Sequence, residues 1–296
     1  MKTRRLRALA GVPVAILALL VFAPTASAGW FLPESGGSPN ADAIRTLYIL
    51  IALIALVIFI AVEGLLIYSM VRFRARKGRV AAQIHGNTRL EVGWTVGAAA
   101  ILVFLTVFTF LLLDDIKNPE ASDIDENGNP VAQNVQYAQA NRPDPPAGSA
   151  FLNLEVFGEQ YVWSYAYPGD ENVLAYTDMY VPVGMTVTLD IKAKDVVHSW
   201  WIPKLGGKMD AVPGYTNKSW FKIPESAIPE GEDQVVFDGQ CAELCGRNHA
   251  DMVARVIGLP YDEWKAWYDR KAAELEESEE NAAERSEQTE AEEGSL

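Results

Sequence analysis

Residues that commonly bind metals or form disulfide bonds are scarce in this sequence, which has two cysteines and three histidines among 296 residues. So few cysteines exclude a disulfide-rich scaffold and a multi-finger zinc protein. A C-x-x-C-H motif is also absent, so we predict no covalently attached c-type haem. Basic residues are outnumbered, because 25 Lys and Arg stand against 39 Asp and Glu, a net charge of −14. Such an acidic chain lacks the basic surface that phosphate binding requires, so we expect no nucleic-acid partner.

Long apolar segments, in contrast, fill much of the first 113 residues. Residues 1–28 combine a basic start, an apolar centre and the small-residue site Ala26-Ser27-Ala28, which together predict a secretory signal peptide. Two further apolar runs, 47–68 and 94–113, are each long enough to cross about 30 Å of hydrocarbon. We therefore predict transmembrane helices at residues 44–70 and 91–113.

Charge on either side of these helices predicts their orientation. The loop at residues 71–90 carries six basic and no acidic side chains, so the positive-inside rule makes it cytoplasmic and both ends of the hairpin extracytoplasmic. Two carboxylates belong to this region. Glu63 lies inside the first run, where a charge is costly; we interpret it as a polar contact with a partner helix, a functional site being the alternative. Glu91 begins the second helix, where a carboxylate complements the helix dipole.

The remainder of the chain divides into a linker, a strand-rich domain and a tail. Residues 114–149 are rich in acidic residues, Asn and Pro, which is typical of an extended linker. Asp123-Ile124-Asp125-Glu126-Asn127-Gly128 resembles the start of a calcium loop, but Asn134 occupies the twelfth position, so calcium binding is not predicted. Short alternating segments, including 152–156, 181–191 and 253–259, predict an all-β domain at 150–268. A helix is expected from Tyr261, and the Glu-rich tail, 269–296, is expected to be disordered beyond Glu276.

The residues best suited to chemistry lie in Cys241-Ala242-Glu243-Leu244-Cys245-Gly246-Arg247-Asn248-His249-Ala250-Asp251-Met252. With His198, which follows a predicted strand, four of the five Cys and His residues can meet at one site. A disulfide between the two cysteines is one interpretation. A zinc site with two Cys and two His leaves the Met unused, and a single blue copper leaves one Cys unused. A binuclear copper centre with two bridging thiolates uses every residue, and soft sulfur ligands select copper.

These motifs are similar to those of subunit II of the haem–copper cytochrome c oxidases. The resemblance runs from about residue 47 to residue 267. It also rests on Asp195-Val196-Val197-His198-Ser199, Lys208-Met209-Asp210-Ala211-Val212-Pro213-Gly214, His85-Gly86-Asn87-Thr88, Glu91-Val92-Gly93-Trp94-Thr95 and Val162-Trp163-Ser164-Tyr165. It implies a two-helix transmembrane hairpin followed by an all-β cupredoxin-like barrel or sandwich with a C-terminal helix. It further implies a multi-pass protein of the bacterial cell membrane whose N-terminus and C-terminal domain are extracytoplasmic, with oxidase subunits I and III as partners.

The resemblance also implies a role for each site residue. The ligands of a dinuclear Cu(A) centre would be His198, Cys241, Cys245, His249, Met252 and the carbonyl of Glu243. The Glu243 side chain would bind a Mg or Mn ion shared with subunit I, and Glu91 would lie at the mouth of a proton channel. Electrons would pass from cytochrome c near Tyr161 and Trp163 to copper. Haem in subunit I would then reduce oxygen to water, coupled to proton translocation, so the chain is expected to be an oxidoreductase and translocase subunit.

Two positions depart from the family pattern. Tyr161 stands where many members have the Trp that receives electrons, and Tyr215 stands where an Arg usually follows Pro-Gly. Both departures bear on how the electron donor docks. Two alternatives remain open at this point, a Cu(A) subunit of a nitric oxide reductase and a membrane-tethered copper chaperone. A site with two thiolates and four further donor groups favours retention of metal over its transfer.

Overall fold

The computed structural model describes residues 32–293, apart from 76, 77, 79, 81, 82, 132–149 and 170–172. The predicted signal peptide at 1–28 lies outside the described residues. The described part begins with two long helices, continues with ten strands and ends with a third long helix. The predicted order of hairpin, β domain and C-terminal helix is therefore confirmed.

The two apolar helices are longer than the sequence predicts. Helix α1 spans Pro39–Arg72 and helix α2 spans Thr88–Lys117, and both are long and apolar enough to cross a membrane. At 1.5 Å per residue, the 34 residues of α1 extend about 51 Å. Each helix therefore extends beyond the hydrocarbon, because hydropathy marks only the apolar centre of a helix and not its polar ends. Between the helices, the Asn87 side chain accepts a hydrogen bond from the Leu90 N–H and caps the start of α2.

The β domain consists of three sheets. Its strands are β1 (Phe151–Glu159), β2 (Val162–Ala166), β3 (Leu174–Tyr176), β4 (Asp178–Pro182), β5 (Thr186–Ala193), β6 (His198–Trp200), β7 (Met209–Ala211), β8 (Asn217–Lys222), β9 (Val235–Gln240) and β10 (Val253–Leu259). One sheet has the order β3-β2-β1-β5-β8, the second β4-β10-β9, and the third pairs β6 with β7. Strand β1 runs parallel to β5 and β10 parallel to β4, while all other neighbours are antiparallel.

The core lies between the five-stranded and three-stranded sheets. Alternation along β1 is as predicted, since Leu152, Leu154 and Val156 are all buried. The alternating segment predicted at 181–191 is divided between two strands. Gly184, with φ of +77°, makes a turn there and separates β4 from β5, which then enter different sheets.

The first part of the predicted linker belongs to the folded domain. Ile124 is only 2% exposed and is part of the domain core, and the buried Lys222 ammonium lies 3.0 Å from carboxylate oxygens of both Glu120 and Asp123. Asp125 accepts hydrogen bonds from the backbone of Asn127 and Asn129, and these bonds lower the pKa of its carboxyl group. The calcium-like segment is therefore a turn in which the carboxylates of Asp123 and Asp125 already have partners. An extended linker at 118–131 is a wrong prediction, because composition does not show these distant contacts.

Helix α3 covers Tyr261–Glu293, and the beginning of the helix packs against β4. Trp264 and Trp267 are buried, and the Trp267 ring stacks on Tyr180 with centroids 4.5 Å apart. The prediction of disorder beyond Glu276 is wrong, because the helix continues to Glu293. Ala and Glu are strong helix formers, so a segment whose charge suggests disorder retains a high helix propensity.

A tryptophan joins the hairpin to the β domain. The carbonyl of Trp220 in β8 accepts a hydrogen bond from the Asn40 side chain at the start of α1. Its indole N–H donates to the carbonyl of Ile116 near the end of α2 at 3.0 Å. The Ser38 hydroxyl accepts a further bond from the backbone of Lys222. One strand thereby holds the ends of both helices and fixes the β domain over the same end of the hairpin.

Candidate metal centre

The predicted metal ligands lie in two segments of the β domain, here called the ligand loops: residues 194–198, which lead into β6, and residues 241–252. His198 is the first residue of β6, and the segment from Cys241 to Met252 connects β9 to β10. The Cys241 N–H donates to the carbonyl of Met252 and closes the second loop at its base. The Ala242 N–H donates to the carbonyl of Ser199 at 2.8 Å, which ties this loop to β6. Residues more than 40 positions apart in sequence are thus brought together.

The donor atoms divide into two halves around a pair of thiols. The sulfur atoms of Cys241 and Cys245 are 4.0 Å apart. Cys241 Sγ lies 3.9 Å from His198 Nδ1 and 3.2 Å from the carbonyl oxygen of Glu243. Cys245 Sγ lies 3.6 Å from His249 Nδ1 and 3.8 Å from Met252 Sδ. Each thiol therefore has one imidazole nitrogen and one weaker donor of its own.

Both thiols are free and nearly inaccessible to solvent. Cys241 and Cys245 are buried and form no disulfide. The distance between their sulfur atoms is about twice the length of a disulfide bond. The disulfide interpretation therefore does not describe this structure. Burial, followed by the nearby Cys241, raises the pKa of Cys245 to about 11. Metal binding to this thiol at neutral pH must consequently release a proton.

A carboxylate orients the first imidazole. Asp195 Oδ1 lies 2.9 Å from His198 Nε2 and can only accept a hydrogen bond when ionised, so this nitrogen carries the proton. His198 Nδ1 is then left with a lone pair facing Cys241. Although burial raises the pKa of Asp195, hydrogen bonds from His198, Gln160 and Val196 lower it below its ordinary value. The sequence signal for this contact is the spacing of three residues between Asp195 and His198.

The donor set fits soft metal ions. Within the described residues, His198, Cys241 and Cys245 form a buried group whose ligand atoms all lie within 4.8 Å of one another. A single ion using one thiolate would leave the other thiol, with its own imidazole, buried without a role. The division into two similar halves means that the residues would fit two soft metal ions, and a donor set of two thiolates, two imidazoles and a thioether would suit copper.

The other predicted site residues lie at different distances from these thiols. Trp163 is fully buried, and its ring meets His198 edge-on with centroids 5.9 Å apart. Tyr161 is partly buried, and its hydroxyl accepts a hydrogen bond from the Arg247 N–H at 3.1 Å. The Glu243 side chain is exposed. The structure thus brings Tyr161 and Trp163 to the ligand loops.

The two carboxylates of the hairpin are remote from the β domain ligands. Glu91 is exposed at the start of α2, and its Oε1 accepts a hydrogen bond from the Asn87 N–H at 3.3 Å. This contact completes a reciprocal cap, because the Asn87 side chain accepts from Leu90. Glu63 is exposed along α1. Glu91 therefore stabilises the start of α2, as its position in the sequence predicts.

Comparison with known families covers both parts of this architecture. The family profile for the transmembrane domain of cytochrome c oxidase subunit II matches residues 26–112, and the profile for its periplasmic domain matches residues 176–258. Subunit 2 of cytochrome c oxidase from Cereibacter sphaeroides is 30% identical over 256 residues, which cover 80% of this chain and 81% of that protein. The chain belongs to the cytochrome c oxidase subunit II family.

Two further comparisons cover different lengths of the chain. Subunit 2 from Alkalihalophilus pseudofirmus is 34% identical over 83% of this chain, which spans 63% of the length of that longer protein. The crystal structure of the periplasmic domain of subunit II from Bradyrhizobium japonicum is 29% identical, with a TM-score of 0.38. It covers 42% of this chain and 95% of the solved domain. Family membership and two membrane-length apolar helices make this chain a membrane protein.

Proposed function

We propose that this chain is the electron-accepting subunit of a respiratory terminal oxidase and that its two ligand loops hold a binuclear Cu(A) centre. The ligands are His198, Cys241, Cys245, His249, Met252 and the carbonyl of Glu243. The observation that carries the proposal is the pair of free, buried thiols 4.0 Å apart, each beside its own imidazole nitrogen and its own weaker donor.

The chain's own residues hold this site rigid. When bound, the copper pair supplies a reversible one-electron acceptor. Asp195 fixes the His198 ring, and the bond between Cys241 and Met252 backbones fixes the base of the ligand loop. Met252 and His198 are fully buried, so water is kept from their donor atoms. Donors that are fixed, two of them fully buried, keep the cost of rearrangement small when charge changes.

We assign electron uptake to the surface beside Tyr161 and Trp163, with a cytochrome c as donor. Tyr161 is partly exposed and bonded to the ligand loop, whereas Trp163 is buried against His198. The Tyr161 hydroxyl is therefore hydrogen-bonded to the loop backbone at Arg247, two residues from both Cys245 and His249, and Trp163 contacts the ligand His198 directly. The acidic chain favours a basic donor protein, since complementary charge speeds encounter.

We assign the oxidase subunits I and III as partners of this chain. Oxidase subunit I receives the electrons at its haem and reduces oxygen to water, coupled to proton translocation. The exposed Glu243 carboxylate is free to reach a Mg or Mn ion shared with subunit I, while its carbonyl faces Cys241. Subunit III completes the proposed complex in the membrane.

The hairpin supplies a residue for proton uptake, and it determines on which side of the membrane the β domain lies. Glu91 is exposed at the end of α2 that adjoins the basic loop, which we place in the cytoplasm. Its carboxylate can exchange protons with water there and pass them into subunit I. The other end of the hairpin, held by Trp220, then places the β domain outside the bacterial cell membrane.

Electron transfer in the assembled oxidase tests the proposal. In a purified complex containing full-length chain, Cys245→Ser should abolish haem reduction by reduced cytochrome c, because a hydroxyl is a poor copper ligand. Leu244→Ala is a matched control, since Leu244 precedes Cys245 in the sequence and is 78% exposed. The control should retain rapid haem reduction. Undiminished haem reduction in a fully assembled Cys245→Ser complex would contradict the proposed role.

A further inference from the structure

Gln160 contacts both ligand loops from the turn between β1 and β2. Its backbone N–H donates a 2.7 Å hydrogen bond to Asp195 Oδ2. Its side-chain Nε2 donates a 2.6 Å hydrogen bond to the carbonyl oxygen of Cys245. These partners lie 35 and 85 residues away in sequence, and each belongs to a different ligand loop.

The first of these bonds acts on His198. Asp195 uses Oδ2 for Gln160 and Oδ1 for His198 Nε2, so the carboxylate is held from both sides. The backbone N–H of Val196 also donates to Oδ1. A carboxylate with this many donors keeps a fixed plane, and the imidazole bonded to it keeps a fixed orientation.

The second bond reaches the ligand loop where its backbone is most restricted, at Cys245 and Gly246. Next to Cys245, Gly246 has φ of +135°, and a Cβ added there would lie 2.5 Å from Tyr161 Oη and 2.8 Å from Gln160 Nε2. Only glycine permits both that backbone conformation and so close an approach. The adjoining Arg247 N–H donates to the Tyr161 hydroxyl. The turn and the loop are therefore in direct contact over three successive loop residues.

We propose that Gln160 is a positioning residue for the metal centre, and that it sets the distance between the loop carrying His198 and the loop carrying Cys245 and His249. This inference rests on the proposed metal site and adds a residue that holds it. Gln160 acts through its two hydrogen bonds and is itself outside the ligand set. The hydrogen bonds exist between protein groups alone, so they hold the loops before metal binds.

The test uses full-length, detergent-purified protein with Gln160→Met, which retains side-chain length but removes the amide donor. Gln234→Met is a matched control, because Gln234 is exposed and lies just before β9. Hydrogen exchange of the metal-free protein should be about threefold to tenfold faster at residues 245–252 in Gln160→Met, as expected for loss of one neutral hydrogen bond. Gln234→Met should exchange like the unaltered chain there.

Two further measurements separate positioning from general stability. The melting temperature of the Gln160→Met protein should lie within a few degrees of that of the control, because the Gln160 side chain is exposed and the substitution removes one neutral hydrogen bond. Copper loaded into the variant should transfer to a competing chelator faster by the same threefold to tenfold factor. Exchange at residues 245–252 equal to that of the control would overturn the inference. Because the exchange experiment is done without metal, it gives its answer even if the copper proposal fails.

Discussion

The two roles of Glu91 can be separated by one substitution. Glu91→Gln keeps the size of the side chain and an amide oxygen that can still accept from the Asn87 N–H. The existing bond is long, at 3.3 Å, and the carboxylate is exposed. Loss of the charge at the start of α2 should therefore lower the stability of the helix by about 0.3–1 kcal/mol. The same change removes the only titratable group of that side chain.

A capping control distinguishes helix stability from proton uptake. Asn87→Ala removes the hydrogen bond that the Asn87 side chain accepts from Leu90 and leaves the Glu91 carboxylate in place. Loss of such a cap costs about 0.5–2 kcal/mol, more than the cost expected for Glu91→Gln. If Glu91 acts only on the helix, Asn87→Ala should be the more damaging substitution. If Glu91 takes up protons, the order should be reversed.

The assay is steady-state oxygen consumption by the assembled oxidase, with copper and haem contents measured on the same samples. We expect turnover of Glu91→Gln to fall severalfold, with normal metal content and normal electron transfer from cytochrome c to copper. Asn87→Ala should retain near-normal turnover. Unaltered oxygen consumption in a fully assembled Glu91→Gln enzyme would refute proton uptake by Glu91 and leave only the helix-start role.

Three further predictions concern the β domain. Tyr161→Ala should slow reduction by cytochrome c without changing the copper spectrum, and an unchanged rate in stopped-flow mixing would place electron uptake elsewhere. Because the pKa of Cys245 is raised to about 11, its thiol is protonated at pH 7, and apparent copper affinity should rise as pH increases, by up to tenfold per unit for each proton displaced. A competition titration that shows pH-independent affinity would contradict this. Ile124→Ala should destabilise the domain by about 2–5 kcal/mol, whereas Val131→Ala, at a 41% exposed position, should change thermal stability little.

Features encoded over short stretches of sequence could be predicted. The two membrane-length helices follow from hydropathy, and the C-x3-C-x3-H-x2-M spacing places its four side chains within one loop. Buried alternation along β1 follows from the two-residue period of a strand. His198 lies outside that local pattern, and the small number of Cys and His residues, followed by the family resemblance, connected it to the site. Local periodicity and local spacing thus account for most of the architecture and of the donor set.

Features that depend on distant contacts could not be predicted. The segment at 118–131 looks like a linker because its acidic and polar residues conceal one buried anchor, Ile124, and ion pairs to Lys222 about 100 residues away. Gln160 carries no local mark of its role, because its partners belong to two separate loops. The helix beyond Glu276 was not predicted for a different reason. Net charge favours disorder, but Ala and Glu also favour helix, and the second effect prevails.

The number of copper ions per chain tests the central claim most directly. Purified full-length chain, loaded with copper and freed of excess metal, should contain two coppers per polypeptide and show a mixed-valence spectrum in which one unpaired electron is shared by both ions. The two halves of the donor set, built around thiols 4.0 Å apart, predict this result. One copper per chain, or a single zinc in its place, would contradict the binuclear centre.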